Sequence, residues 1–499
     1  MTEYLLGIDL GTSSCKTALF DTDLKLIGSA AAVYPTLYPR RGWAEQPAEQ
    51  WWKALVQTVR ELLDLHGVEP AGLAGIGIDS MGSIALPVDD CGSPLRPGLL
   101  WMDRRSEDQS RWIDGHLQQL LWQTNGNHSD PSNIAPKLLW LKENEPEVYA
   151  ATDCFLHGNG YLVYRLTGEY SMDISEGGLT QLFDTRSGCW SDELIEACGI
   201  EKHKLPQVYP CSDIVGRVTG EAAAQTGLME GTPVVAGAMD NVTSALGAKA
   251  LRPGDVYIAG GTVVAVSACL DEPLFNPDLH IYHHIIPGKW ISAAGVDFGG
   301  GGLNWFKDLI AEQGYARIEE SANSSKPGGN PLIFIPYMVG QRAPLWNSNT
   351  RGVIFGLNPS VSTQDLIRMF MEGAAYGARN ILKIMETGGI NTRRINMTGG
   401  CAIIDMWPQI FADVLGTNVR IPGETDVATL GCAVAAAVGV GVADGFEAMQ
   451  DKICSAKEFS THQENRSYYQ EMFSLFEQLN NDIIGNYDKL AEIFPEDQI

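Results

Sequence analysis

At 499 residues the chain exceeds what one hydrophobic core holds, because single cores stop growing near roughly 250–300 residues, so two domains of about 250 residues each are expected. Hydrophobic residues at 44% and charged residues at 19% match an ordinary folded protein and exclude a disordered one. A net charge of −26 with no local run of Lys and Arg excludes a nucleic-acid-binding face. The ten cysteines are scattered singly with no C-x-x-C pair, which points to reduced thiols in a cytoplasmic protein rather than zinc or disulfides. The Met-Thr-Glu-Tyr start has no basic region followed by an apolar one, so no signal peptide is expected.

In chain order, residues 4–9 and 15–21 read as two strands joined by Gly11-Thr12-Ser13-Ser14, with a third strand over 24–30. From Gln46 to about His66 the apolar spacing of Trp51, Trp52, Leu55, Val56 and Val59 predicts a helix, followed by a buried strand at 73–78. Residues 234–247 read as a strand, a turn at Asp240-Asn241 and a helix start. The opening hairpin then recurs: GTSSCKTALFD at 11–21 can be laid on GTVVAVSACLD at 261–271, although Gly-Thr turns between apolar strands are common. The copies differ where Asp9 is replaced by Ala259. Ser362 with Asp365 three residues on predicts a capped helix ending at Gly388-Gly389. A strand at 394–398, a turn at Gly399-Gly400-Cys401, and a helix from Asp405 to about Gly416 follow. The Ala/Gly-rich stretch 427–443 is too short for a membrane span and predicts a tightly packed buried helix; a last helix runs from Asn465 to about Ile493. The alternation of strands and helices is that of an α/β protein.

No Walker A and no protein-kinase motif is present, so a nucleotide would be held in another way. The hairpin Asp9-x-Gly11-Thr12 offers one: a tight turn directs N–H groups and a hydroxyl at phosphate oxygens, Asp9 faces a hydrated cation, and Lys16 adds positive charge. An ordinary polar-tipped hairpin satisfies the same pattern. Asp240 lies where α/β proteins hold ligands and is a candidate proton acceptor for a hydroxyl nucleophile, or else a helix cap. In Trp101-x-Asp103-x-Arg105 an extended stretch would turn Asp103 and Arg105 toward one cavity to bind hydroxyls, or would hold a structural ion pair beside a core Trp.

These motifs together resemble the FGGY carbohydrate kinases, most closely the xylulokinase-like branch. The resemblance runs from GIDLGTSSCKTALFD at 7–21 through WMDRR at 101–105, APKLLW at 135–140, AGAMDN at 236–241 and GGTV at 260–263. It continues through GQRAPLWNSNTRGVIFGL at 340–357, MEGAAYGAR at 371–379, TGGCAIIDMWPQIFADVLG at 398–416 and LGCAVAAAVGVG at 430–441. It implies two actin-like (ribonuclease H-like) ATPase domains, residues 1–247 and 248–499, around an interdomain cleft. It implies Mg²⁺ and ATP, and a small sugar or polyol as acceptor, a ketopentose such as xylulose foremost. By position Asp9 resembles the residue that holds the metal through water, and Asp240 the general base, with Asn241, Met81, Gly82, Trp101, Asp103 and Arg105 around the acceptor. Gly11, Thr12, Lys16, Gly261, Thr262, Gly300, Asn304, Gly399 and Gly400 resemble nucleotide contacts. Two departures stand out: Ser80-Met81-Gly82-Ser83 where xylulokinases carry Gln-Met-His-Gly, and Ile404 where relatives often carry Asn or Ser. An actin-like ATPase switch and a non-catalytic sugar sensor are the alternative readings of the same motifs, and a homodimer is left open.

Overall fold

The structure is a computed structural model that describes residues 3–310, 318–320, 324–424 and 426–493. Two seven-stranded sheets organise it. In the first half, β1 (Tyr4–Leu10), β2 (Ser14–Asp21) and β3 (Leu26–Val33) form an antiparallel meander; α1 (Ala48–His66) then leads into β4 (Leu73–Ser80), which pairs parallel with β1. The strands β5 (Ile214–Arg217), β6 (Pro233–Val235) and β7 (Ala238–Met239) complete the sheet, and α2 (Asp240–Gly247) follows directly.

The second half repeats this plan. β8 (Asp255–Gly260) and β9 (Val264–Leu270) form its hairpin, with β10 (His280–His283) and β11 (Trp290–Val296) extending the antiparallel side. After α3 (Gly301–Leu309) and α4 (Thr363–Thr387), β12 (Arg394–Thr398) pairs parallel with β8 as β4 does with β1. Then come α5 (Met406–Leu415), β13 (Val419–Pro422), α6 (Val427–Gly439), β14 (Ser455–Phe459) and α7 (Arg466–Ile493). The strand orders β3-β2-β1-β4-β6-β5 and β11-β9-β8-β12-β13-β14 correspond one to one, with the same sense at every pairing. The duplication suspected from eleven residues therefore extends to the whole sheet.

Local signals explain most boundaries. Ser362 and Asp365 form the reciprocal capping box at the start of α4, and Gly416, at φ 67°, ends α5 in the left-handed conformation that glycine adopts without strain. The third strand starts later than expected, at Leu26, because Leu24 takes up a turn at φ 62°. Each sheet has its own core, and a third core lies between them, where Leu5, Phe20 and Val242 of the first half meet Tyr257, Val427 and Ala433 of the second. There α6 lies directly on the first sheet: a Cβ at Gly7 would come within 2.0 Å of the Thr429 carbonyl, and one at Gly77 within 2.1 Å of the Cys432 carbonyl. The equivalent helices α2 and α6 touch equally closely, through Gly431 against Thr243 and Gly247 against Val427. Such approach of backbone to backbone explains the Ala/Gly composition of 427–443. Among the described residues no helix is long and apolar enough to cross a membrane.

Candidate active site

Strand register assembles the acidic centre. Asp9 of β1 lies beside Asp79 of β4, and Ala238 of β7 lies beside Asp79 on its other side, so Asp240 follows at the same end of the sheet. Carbonyl-end edges of this kind are where open α/β sheets hold ligands. Three carboxyl groups thus gather with little cationic compensation. Lys16 is 4.0 Å from Asp9 and 3.8 Å from Asp426, with about half its side chain exposed. Burial first, and the neighbouring carboxylates next, push Asp9 up to about 6 and Asp240 up to about 7; Asp79, wholly buried, is held well above its usual range. Asp79 receives the Thr243 hydroxyl and the Cys432 thiol on Oδ2, while its buried Oδ1 has no hydrogen-bond partner among the described residues.

Asp240 is the first residue of α2, and its Oδ1 accepts the Asn241 N–H at 2.6 Å. That bond orients the carboxylate and leaves the second oxygen available on the part of its surface that stays open. Asn241 in turn accepts the Ser267 hydroxyl at 3.0 Å, a link from the first half to β9 of the second.

Both Gly-Thr turns are closed by the glycine N–H, the first over three residues, Gly11 to the Ser14 carbonyl at 3.0 Å, and the second over two, Gly261 to the Val263 carbonyl at 2.9 Å. Thr12 is held by its surroundings, its carbonyl accepting from Gln46 at 2.7 Å and its Oγ1 accepting the Trp101 indole N–H at 3.2 Å. With that lone pair occupied, the hydroxyl hydrogen of Thr12 is free to point outward. In the second half, Gly300 and Gly399 approach the hairpin so closely that a Cβ at either would fall 2.1 Å from the Gly261 carbonyl or 2.7 Å from that of Gly260, and Gly301 donates to Thr262 at 3.1 Å. Gly261, Thr262, Gly300, Gly399 and Gly400 are thereby brought together, with Asn304 in the early part of α3.

A cavity of about 600 Å³ opens beside the first hairpin between the halves, lined by Trp101, Arg104 and Asp130 from one side and Val263, Asp297 and Arg342 from the other. Arg342 pairs with Asp297 at 2.7 Å and lies 5.6 Å from the Trp101 ring; Arg104 pairs with Asp130 at 2.8 Å. Asp240 does not line this cavity, whose wall residue Trp101 is hydrogen-bonded to Thr12 of the first turn.

Three of the expected acceptor contacts are enclosed side chains that do not line the cavity. The segment after Trp101 turns instead of running extended, so Asp103 and Arg105 point inward: both side chains are fully enclosed, paired at 2.8 Å, with Arg105 also on Glu45 at 2.6 Å and 3.7 Å from the Trp43 ring. Asp103 also accepts the Ala44 N–H at 2.6 Å, so the pair is a structural tie. Met81 is buried in the first core. Gly82 does face the acidic centre, where a Cβ would lie 2.8 Å from the Met239 sulfur and 3.1 Å from Glu176 Oε1.

Sequence reasoning missed the buried polar groups under this turn. Lys137 donates to the Ser83 carbonyl at 2.9 Å and to that of Ser132, and burial lowers it to about 7. Glu176 lies 3.4 Å from His157; both its oxygens and His157 Nδ1 lack hydrogen-bond partners among the described residues, and burial drives Glu176 well up and His157 down to about 3. Lys137 stood in the APKLLW motif but without a role; Glu176 and His157 carried no local signal, because only the fold brings them beneath Gly82.

Comparison with known proteins follows this geometry. The N-terminal domain of the FGGY family of carbohydrate kinases matches residues 4–247, and its C-terminal domain matches residues 256–440. A gluconokinase of Bacillus subtilis is 28% identical over 99% of the chain and 98% of its own length. A xylulose kinase of Lactococcus lactis is 31% identical over 95% of the chain and 96% of its length. The crystal structure of a xylulose kinase from Brucella ovis superposes with a TM-score of 0.91 at 27% identity, covering 97% of this chain and all of that one.

Proposed function

From the premise that the chain belongs to the FGGY family of carbohydrate kinases along both of its halves, we propose that it moves the γ-phosphoryl group of Mg²⁺·ATP to a hydroxyl of a small ketose or sugar acid, with Asp240 as the general base. A carbohydrate kinase needs a base beside its acceptor, a phosphate cradle and a way to exclude water. The observation that carries this reading is the row formed by Asp9, Asp79 and the start of α2, which aligns a half-open Asp240 with the acidic centre beside the first Gly-Thr turn.

In this reading the acceptor hydroxyl gives its proton to the Asp240 oxygen that Asn241 leaves free, and the oxygen attacks phosphorus in line. The Thr12 and Thr262 hydroxyls and adjacent N–H groups receive the phosphate chain, and closure of the two halves removes water from it. A magnesium ion bound with the nucleotide neutralises charge on the phosphates. Asp9 suits such an ion through water: it is one of three carboxyl groups gathered at this end of the sheet, its proton affinity raised first by burial, and Lys16 at 4.0 Å offsets that only in part. The substrates named in the relatives, xylulose and gluconate, set the range in which the acceptor is sought. The Ser80-Met81-Gly82-Ser83 turn, with Glu176 close to Gly82, sets this pocket apart from the Gln-Met-His-Gly turn of xylulokinases. These features support a metabolic enzyme working on a small diffusible acceptor.

The test is ADP release with Mg²⁺·ATP against a panel of ketopentoses, ketohexoses, sugar acids and polyols, beside a blank without acceptor. One acceptor is expected to raise turnover far above the blank. Hydrolysis independent of every acceptor would replace this reading with that of an ATPase switch.

A further inference from the structure

A second ligand site is built at the opposite end of the second sheet from the glycine turns. A pocket of about 220 Å³ is lined there by Lys249, Arg252, Arg394 and Arg420, with Asn396 also among its walls. The cations come from three separate places in the chain: the segment after α2, the start of β12, and β13. The fold makes them converge, since Arg394 and Asn396 are two apart on β12 and share a face, and Asn396 is registered with Arg420 on the neighbouring strand.

Such a concentration of positive charge runs against the character of the molecule, which has 61 acidic residues against 35 basic ones. Local carboxylates offset it only in part, Glu458 acting on both Arg420 and Arg394. Arg420 is held by Glu458 at 3.0 Å, and Lys249 donates to the Ile453 carbonyl, also at 3.0 Å. Arg252 and Arg394 form no ion pair or hydrogen bond through their guanidinium groups among the described residues, and Asp451 is the one carboxylate in the lining. The independent sign of a missing ligand is Asn396. It is 2% exposed, and its Nδ2 has no hydrogen-bond partner among the described residues, a state that buried amides rarely keep.

We propose that this pocket binds a small phosphate-bearing anion. Forked guanidinium groups, an ammonium and an amide N–H form a donor set suited to phosphate oxygens, and the volume admits a phosphate, a pyrophosphate or the phosphate end of a small sugar phosphate. The site is distinct from the nucleotide turns. β12 separates them, running from Arg394 to Thr398 before Gly399-Gly400, which at the usual rise per strand residue places Arg394 roughly 17 Å and Asn396 roughly 10 Å from the turn.

The experiment has two arms on the full chain. Crystals soaked in tungstate, a phosphate mimic with strong anomalous scattering, are expected to show a peak between Arg252, Arg394 and Arg420; peaks confined to the Gly-Thr turns would overturn the proposal. In solution, calorimetry with inorganic phosphate, pyrophosphate and a pentose phosphate is run with the nucleotide site filled by a non-hydrolysable ATP analogue. The Arg252→Ser/Arg394→Ser variant is expected to bind at least ~10-fold more weakly than the parent while turning over ATP with acceptor at the parental rate. Equal binding by parent and variant would refute the site. The relative affinities then distinguish the sources: preference for the pentose phosphate identifies a phosphorylated metabolite, and equal affinity identifies free phosphate.

Discussion

In the proposed reaction the chemistry rests on one carboxylate, that of Asp240. Replacement by Asn preserves the size and the N–H contact of the side chain but removes the proton acceptor, so acceptor-dependent turnover is expected to fall at least ~10²-fold while circular dichroism and ATP-analogue binding stay near parental values. Near-normal turnover would remove Asp240 from the role. Because burial and the Asp9 charge push its proton affinity up to about 7, the reactive ionised form is lost below that pH. The acid limb of kcat/KM is therefore expected near pH 7, falling tenfold per unit below it, whereas an unperturbed Asp would place that limb near ~4. In the same reading Gly82 bears on acceptor choice. A His there, as in xylulokinases, meets Met239 and Glu176 within 3.1 Å of its Cβ alone, so Gly82→His is expected to lower kcat/KM by at least ~10-fold for every acceptor instead of conferring xylulose preference. A gain with xylulose would show that the pocket has room that the structure denies.

Among the elements, α6 stands out because its packing is the least forgiving. At Gly431 the added carbons of Val would begin 2.0 Å from the Thr243 carbonyl, where backbone on both sides prevents relief, so Gly431→Val is expected to cost ~3 kcal/mol or more in chemical denaturation. An unchanged midpoint would mean that α2 and α6 can separate. The composition of this stretch announced a buried helix, and the cap at Ser362, the glycine stop at 416 and the paired Gly-Thr hairpins were equally plain, because each depends on residues close in sequence. What stayed hidden depends on distant ones. Nothing near Asp103 and Arg105 told of Glu45 and Trp43, which draw them inward, and periodicity cannot tell that a helix from the second half rests on β1 and β4 of the first. Asp79 went unnoticed for the same reason: on a buried strand a lone acid has meaning only once the register sets it beside Asp9.

At the scale of the whole molecule, the two sheets meet through closely packed small residues at α2 and α6, while the cavity beside the first turn is lined from both halves. Closure upon ligands is expected to pivot about the former and narrow the latter. Small-angle scattering should register a smaller radius of gyration with an ATP analogue and acceptor together than with neither, and no change under any ligand would argue for a rigid cleft. The duplicated plan also has a consequence for how the nucleotide must lie. A clamp with true two-fold symmetry would accept its guest either way round. Here the symmetry is broken at a registered pair, Asp9 and Asp79 against Ala259 and Thr398, so the jaws are unequal: one is acidic beneath its Gly-Thr turn and the other carries no acid there. In the proposed reaction the socket is therefore polarised: the reacting end of the phosphate chain is expected on the acidic first half and the base at the glycine turns of the second, so that transfer runs in a single direction across the molecule.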